Sequence, residues 1–369
     1  MPGLAATTVA LGLCRFGYGP AMPALIEGSW LTVSQAHSLV WIHLSGYLAA
    51  TLLPVATALG LRLRLAAAAA ALAATAIPAG FAWLAGARFA AGAAGAALLA
   101  LGPAIALRRA PAERRESVAA LIYTGGGYGL ALAGLLAAML LAALPGAMPA
   151  AYWAVLAVVS GIFIAVIPVH RSLDAVIASP VEPLAAARVP RSLILTTALF
   201  GTALATPTLW WAEILTRLPA DGRTPLGSFA AALMTALVGI AAIGGPAIEK
   251  ALARSIGAHR VLPCLLAVMA VGCALATQST ALAPLVIAAV LTGIALTGAT
   301  VALHKRCAAR CQNPAAGWHL LTRVSAGAQV ASALAATALP PENFAISLLA
   351  GSAAALVAAS AIAWIEARP

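Results

Sequence analysis

The first long apolar run of the chain, roughly residues 4–26, carries a charged side chain, Arg15, near its centre. An arginine at the middle of a membrane helix costs about 2.5–3.5 kcal/mol on insertion scales, so it is expected to face protein, water or a ligand rather than lipid. Pro20 and Pro23 follow it, remove two backbone donors and are expected to loosen the last turns of this helix. The combination favours a functional site; an arginine that only stabilises helix packing through backbone carbonyls is the alternative.

Other apolar runs also place polar side chains at membrane depth, where each needs a partner. They include one further arginine, two ionisable groups, three phenols and an amide. The candidate residues for substrate binding or an ion pathway are Arg15, Tyr18, His43, Tyr47, Tyr123, Glu213, Arg323 and Gln329. Arg88 lies near the predicted outer end of its run, and its long side chain could instead extend to the interface.

The charge balance inside the membrane is positive, and an unpaired buried cation seeks an anion. We therefore hypothesise that Arg15 and Arg323 help to recognise an anionic group such as a carboxylate, which the arginine fork can bind at two points. The alternatives are that Glu213 neutralises them or that each arginine only bonds neighbouring helices. Separately, Glu213 or His43 could carry a coupling proton; a packed His43 and an interfacial Glu213 are the alternative.

No catalytic set of residues emerges, so the chain is expected not to be an enzyme. The His-Glu-x-x-His pattern of an intramembrane metalloprotease and the glycine-rich phosphate loop of ATP hydrolysis are both absent from the sequence. His304, Cys307 and Cys311 share one helix face, but neighbouring Lys and Arg side chains make it a poor metal site. We expect no metal and no cofactor.

Composition identifies the broad class of the protein. The chain of 369 residues is 63% hydrophobic and only 8% charged, whereas about a quarter of the residues in soluble domains are charged. Apolar stretches of membrane-spanning length recur throughout, which predicts an all-α integral membrane protein embedded in a lipid bilayer. The net charge of +11 is explained by basic cytoplasmic loops rather than by nucleic-acid binding, and nucleic acid is not expected as a partner.

Twelve membrane-spanning helices are predicted. Their ranges are 4–26, 36–59, 64–85, 87–107, 117–143, 151–169, 191–216, 226–248, 260–278, 281–303, 316–338 and 343–365. With both termini in the cytoplasm, most of the 21 Lys and Arg residues fall on the inner side, as the positive-inside rule requires. Tryptophans are expected at the interfaces, with Trp30, Trp83 and Trp153 outside and Trp318 and Trp364 inside.

A proline-containing polar segment divides these helices into two sets of six. We predict an N-terminal six-helix half (1–169), a cytoplasmic linker loop (170–190) and a C-terminal six-helix half (191–369). Two six-helix halves around a site at the membrane midplane are typical of a transporter. The alanine-rich composition suggests a high-GC bacterial source and therefore the inner (plasma) membrane.

Sequence motifs resemble those of the major facilitator superfamily, and within it the YbfB/YjiJ-type branch. The first span is similar to the branch pattern Arg-Phe-x-Tyr-x-Pro-x-x-Pro at residues 15–23, and residues 46–48 read Gly-Tyr-Leu as in the second span of that branch. Residues 88–92 read Arg-Phe-Ala-Ala-Gly, a common superfamily pattern, and residues 125–129 are similar to its antiporter glycine motif without the usual Gly-Pro pair. His43 stands where the branch has asparagine. The cytoplasmic loop motifs, including the one around Glu249, are incomplete, which puts the usual gating salt bridges in question.

The resemblance implies the major facilitator fold and transport by alternating access. We predict a secondary active transporter of a small organic solute, with an anionic solute as the hypothesis and coupling to an ion gradient, protons being the candidate ion. The alternatives are proton-driven efflux of lipophilic drugs and, with less support, a membrane enzyme without transport activity. The resemblance names no substrate.

Overall fold

The computed structural model describes residues 2–52, 60–166, 188–217, 227–278, 281–340 and 343–366. Over these ranges the chain forms twelve helices. They are α1 (Pro2–Glu27), α2 (Val33–Leu52), α3 (Leu61–Thr75), α4 (Phe81–Arg109), α5 (Arg115–Ala143), α6 (Met148–Val166), α7 (191–217), α8 (Ser228–Ile256), α9 (Ala258–Gln278), α10 (Leu282–Arg310), α11 (Pro314–Ala336) and α12 (Phe344–Ile365).

Nine of these described helices are long and apolar enough to cross a membrane. The other three are α2 and α11, which contain more polar residues, and α3, which has only 15 residues. The prediction of an all-α membrane protein with twelve helices is therefore confirmed. Because the number of helices is even, α1 begins and α12 ends at the same end of the bundle, which we name the termini side.

The boundary between α3 and α4 was predicted incorrectly. The sequence pattern extends the third span to residue 85, whereas α3 ends at Thr75 and α4 begins at Phe81. Pro78 lies in the turn between them, and Gly80 adopts φ +86°, a left-handed conformation that suits glycine. The uniform alanine-rich composition on both sides of this turn hid it from the hydropathy pattern.

Helices of the first six pack against helices of the last six most extensively in three pairs. These are α5 against α8, α2 against α11, and α1 against α7. Small residues allow the closest approaches: a Cβ added to Gly134 of α5 would lie 2.4 Å from the backbone nitrogen of Ala236 in α8. The glycines of α5 therefore serve dense helix packing. The predicted linker 170–190 lies outside the described residues except for its last three, so the predicted domain boundaries stay a prediction.

Candidate functional site

Two helices in equivalent positions of the two sets of six, α1 and α7, are interrupted by π-helical turns. The interruption covers Thr8–Phe16 in α1 and Thr206–Trp210 in α7. Gly19 allows contact between the two helices, because a Cβ there would lie 3.0 Å from the carbonyl oxygen of Thr208. The Tyr152 hydroxyl donates a hydrogen bond of 2.7 Å to the carbonyl of Gly17, where α1 turns. The sequence predicted loosening at the prolines, whereas the irregular turn precedes them.

This irregular stretch of α1 places Arg15 against a cavity at the centre of the bundle. The cavity has a volume of about 100 Å³ and lies between α1, α2, α4 and α5 on one side and α7, α10 and α11 on the other. Arg15 is only 3% exposed, and its Nε and Nη2 atoms have no hydrogen-bond partner. Its Cζ lies 5.4 Å from the ring centre of Phe16 and 5.5 Å from that of Tyr47. A buried guanidinium with two free donors at a cavity wall can donate charge-assisted hydrogen bonds to an anion.

Three further predicted residues, Tyr47, Tyr123 and Gln329, line the same cavity. Gln329 is 1% exposed; its Nε2 donates to the Ser325 hydroxyl at 3.0 Å, while its Oε1 has no partner. The Tyr123 hydroxyl lies 3.3 Å from Nδ1 of His304. The structure therefore brings residues from α1, α2, α5 and α11 to one site, although they are far apart in sequence.

A second cavity of about 510 Å³ lies on the termini side of the central cavity. Arg323 lines this second cavity and not the central one. Both cavities are lined by Tyr47, Tyr123 and Trp318, which form the aromatic part of the partition between them; Leu99, Pro103 and Thr322 complete it. Arg323 Nε donates to the carbonyl of Thr51 in α2 at 2.8 Å. Arg15 and Arg323 thus do not share one cavity. Trp318 lies at this partition, so its expected place at the lipid interface was wrong.

Tyr18 and His43 belong to a separate cluster around Arg88. The prediction that Arg88 extends to the interface is wrong, because it is completely buried. Its Nη2 donates to the carbonyl of Cys14 at 2.7 Å and lies 3.1 Å from Nδ1 of His43. Its Cζ lies 5.1 Å from the ring centres of both Tyr18 and Trp153. Trp153 is also fully buried, so its predicted interfacial position was wrong too. The cluster joins α1, α2, α4 and α6, and within it Nε and Nη1 of Arg88 have no hydrogen-bond partner.

Glu213 lies near the end of the bundle opposite the termini and is 2% exposed. Its Oε1 is 3.5 Å from Nε2 of His37, a partner that the sequence reasoning missed. The His37 ring stacks on Phe344 at 4.2 Å between ring centres and meets Trp210 edge-on at 4.9 Å. His37 lies in α2, whereas Glu213 and Phe344 lie in α7 and α12, so this contact connects the two sets of six helices. The available sequence signal was a second histidine, His37, within the same apolar helix as His43.

The family described as "Uncharacterised MFS-type transporter YbfB" matches residues 7–364. The chain belongs to this family. None of the curated proteins matches the sequence.

Solved structures of transporters share the fold of this family member. A partially occluded inward-open conformation of the xylose transporter XylE from E. coli matches with a TM-score of 0.71 at 13% identity, covering 99% of this chain and 96% of that one. The human organic anion transporter MFSD10 (TETRAN) matches with a TM-score of 0.64 at 20% identity, covering 99% and 97%. A D-xylose–proton symporter matches with a TM-score of 0.67 at 16% identity, covering 98% and 96%. These identities are all below 25%, so the matches show the fold that this chain shares with those proteins.

A cluster of charged side chains lies at the termini side of the bundle. The incomplete loop motif around Glu249 had put such salt bridges in question. Lys305 of α10 contacts Glu249 of α8 at 2.8 Å and also forms an ion pair with Glu116 at the start of α5. Glu249 is buried, whereas the Glu116 side chain is 69% exposed. The cluster therefore links α5 to the last six helices by salt bridges, despite the degraded motif.

The three residues that the sequence analysis judged a poor metal site, His304, Cys307 and Cys311, do not all contact the same groups. His304 packs against Tyr123 and Trp318, with ring centres 5.7 and 4.7 Å away. Cys307 and Cys311 are buried, and their sulfurs lie 3.5 Å apart as free thiols. Among the described residues, no group of three or more His, Cys, Asp or Glu could hold a metal ion.

Proposed function

We propose that this protein is a secondary active transporter that moves a small organic anion across the membrane by alternating access. The observation that carries the proposal is the unpaired Arg15 guanidinium at the wall of the central cavity. Of the described residues lining this cavity, none is Asp or Glu, so the protein itself offers Arg15 no carboxylate there. A bound anion would supply the missing partner, and the fork of the guanidinium suits a carboxylate.

Contacts at both ends of the bundle support alternating access. The His37–Glu213 pair connects the two sets of six helices at one end, and the Lys305–Glu116 ion pair connects them at the termini side. Each contact joins groups that would separate if the two sets rocked apart at that end. Such rocking around a fixed central site is the mechanism that this architecture favours.

Arg323 has a proposed role at the entrance rather than in the central site. It lines the larger cavity on the termini side together with Arg115, and these two guanidinium groups give this space a positive lining. A positive vestibule raises the local concentration of anions and their rate of entry. A substrate that enters or leaves by the termini side would therefore pass Arg323 and the aromatic partition on its way to or from Arg15.

We propose the bacterial inner membrane as the location, with both termini in the cytoplasm. The basic ends of the helices on the termini side support this orientation, because cytoplasmic loops carry excess Lys and Arg. A fluorescent protein that matures only in the cytoplasm, fused after the last helix, is expected to be bright. The same fusion after residue 146, between α5 and α6, is expected to be dark; the reverse result would invert the orientation.

Transport can be tested with purified protein in liposomes. An inward proton gradient is expected to drive the accumulation of radiolabelled monocarboxylates, and an ionophore that collapses the gradient should reduce uptake to equilibration. Protein-free liposomes provide the background. Accumulation of a lipophilic cation in place of any organic anion would instead support the efflux of lipophilic drugs.

Glu213 is the stronger candidate for carrying the proton, because His43 contacts the Arg88 guanidinium, which opposes a second positive charge. We expect Glu213→Gln to abolish accumulation driven by the proton gradient while retaining exchange of labelled for unlabelled substrate, since the amide keeps the shape but cannot release a proton. Glu113→Gln, at an exposed position in the turn between α4 and α5, is the control and should behave as wild type. Proton-driven accumulation by Glu213→Gln at the wild-type level would remove Glu213 from the coupling mechanism.

A further inference from the structure

The two walls of the central cavity differ in the hydrogen-bonding groups that they offer. On the wall formed by α1, α2, α4 and α5, the polar side chains are Arg15, Tyr47 and Tyr123. The guanidinium can only donate hydrogen bonds, and it provides the positive charge of the site. This wall therefore suits an anionic group.

The opposite wall, formed by α7, α10 and α11, offers mostly acceptors. The hydroxyls of Thr197, Thr300 and Thr322 donate to carbonyl oxygens of their own helices at 2.7, 2.8 and 2.9 Å. Thr297 likewise donates its proton to the carbonyl of Ala242. Because these protons are already in use, the hydroxyl oxygens can only accept further hydrogen bonds from a ligand.

Gln329 adds to this second wall a buried acceptor that has no hydrogen-bond partner. It is 1% exposed, its amide nitrogen is engaged by Ser325, and its Oε1 has no partner. A buried carbonyl oxygen without a hydrogen bond is unfavourable, as is the unpaired Arg15 charge across the cavity. A ligand that satisfies both groups must therefore combine an anion with a hydrogen-bond donor.

The geometry points to a small carboxylic acid that also carries a hydroxyl or ammonium group as the substrate. Its carboxylate would pair with Arg15, and its donor group would face Gln329 Oε1 and the threonine oxygens of the second wall. This inference rests on the proposed function and narrows it. A simple alkyl carboxylate leaves Gln329 unsatisfied, and a neutral polyol leaves Arg15 unpaired. A dianion gains no second cation, because Arg15 is the one Lys or Arg among the described residues that line this cavity.

Matched probes that differ only in donor groups test the inference. Binding to purified wild-type protein is measured by thermal stabilisation and by competition for uptake in liposomes. The pairs are propionate against lactate and hexanoate against gluconate, with alanine as the ammonium acid and propane-1,2-diol as the neutral control. We expect the acid with a donor group to bind at least tenfold more tightly than its unsubstituted partner in at least one pair, and the diol not to bind.

Variants of Gln329 test whether its Oε1 accepts the hydrogen bond from the donor group of the substrate. Gln329→Leu is expected to remove the preference for the substituted acid, whereas Gln329→Glu keeps an acceptor and should shift the preference from hydroxy acids towards the ammonium acid. Ser332→Ala, on the same helix but outside the cavity, should preserve the wild-type preference. An unchanged preference in both Gln329 variants would overturn the assigned role of this residue.

The outcomes separate this inference from the function on which it rests. Equal binding of substituted and unsubstituted acids would overturn the two-ended substrate while leaving anion transport intact. If folded wild-type protein binds none of the acids but does transport a neutral or cationic solute, both the inference and the proposed function fail. Tighter binding of lactate, gluconate or alanine, lost in Gln329→Leu, would support both.

Discussion

An Arg15→Gln variant is expected to lose binding and transport of organic anions by at least a hundredfold, yet to melt at a higher temperature than the wild type when no ligand is present. Both effects come from the Arg15 guanidinium, which destabilises the empty protein and stabilises the complex with an anion. In the empty protein, Arg15 is a buried charge with two free donors, and removing such a charge relieves a desolvation penalty. With a carboxylate bound, the same guanidinium makes charge-assisted hydrogen bonds, each worth about 1.5–3 kcal/mol.

The measurement combines thermal melting in detergent with uptake in liposomes. Arg15→Lys keeps the charge but not the two-point geometry, so it should bind anions with intermediate affinity. Arg62→Gln, at an exposed position of α3, controls for the loss of one positive charge and should match the wild type. A less stable Arg15→Gln protein that still transports anions would mean that Arg15 only stabilises helix packing.

Gly92→Ala is expected to destabilise the protein by about 3 kcal/mol, the upper end of the range for overpacking. A Cβ at Gly92 in α4 would lie 2.0 Å from the carbonyl oxygen of His43 in α2, and the backbone cannot relieve that contact by changing a rotamer. The complementary glycine of this crossing is Gly46, where a Cβ would lie 2.1 Å from the carbonyl of Phe89. Separating α2 from α4 would also displace Tyr47 from the central cavity.

Gly86→Ala, on the same helix, is the matched control and should have the opposite sign. An added Cβ there meets nothing within 4 Å, so the change only improves helix propensity, by roughly 0.5–1 kcal/mol. The melting temperature and the yield of monodisperse protein would be compared for both variants. Equal stability of the two variants would contradict the close crossing of α2 and α4.

The helices of this protein could be predicted well from sequence, because a lipid bilayer demands long apolar segments whose backbone bonds are satisfied internally. Seven of the twelve predicted spans lie within three residues of the observed helices at both ends, and the predicted end of the second span, 53–59, lies outside the described residues. The exceptions occur where local turn chemistry outweighs mean hydropathy. The turn between Thr75 and Phe81 depends on Pro78 and Gly80, and α8 and α10 continue several residues past their predicted ends on the termini side.

Burial of polar side chains was predicted less well, because hydropathy measures depth along a helix and not the direction in which a side chain faces. Arg88 and Trp153 both lie near predicted helix ends, which suggested contact with the interface. In the folded protein they pack against each other and Tyr18, since three neighbouring helices cover them. A charged residue on one helix cannot reveal which other helices will enclose it.

The sequence by itself determined the class of the protein, its twelve helices, its family resemblance and the anomaly of a charge at the centre of α1. Each of these depends on composition or on spacing within one segment. Only the tertiary structure decided that Arg15 shares a cavity with Tyr47, Tyr123 and Gln329 while Arg323 lines a separate vestibule, and that Glu213 meets His37. Those relations join helices distant in sequence, and they follow from how small residues let particular helices approach one another.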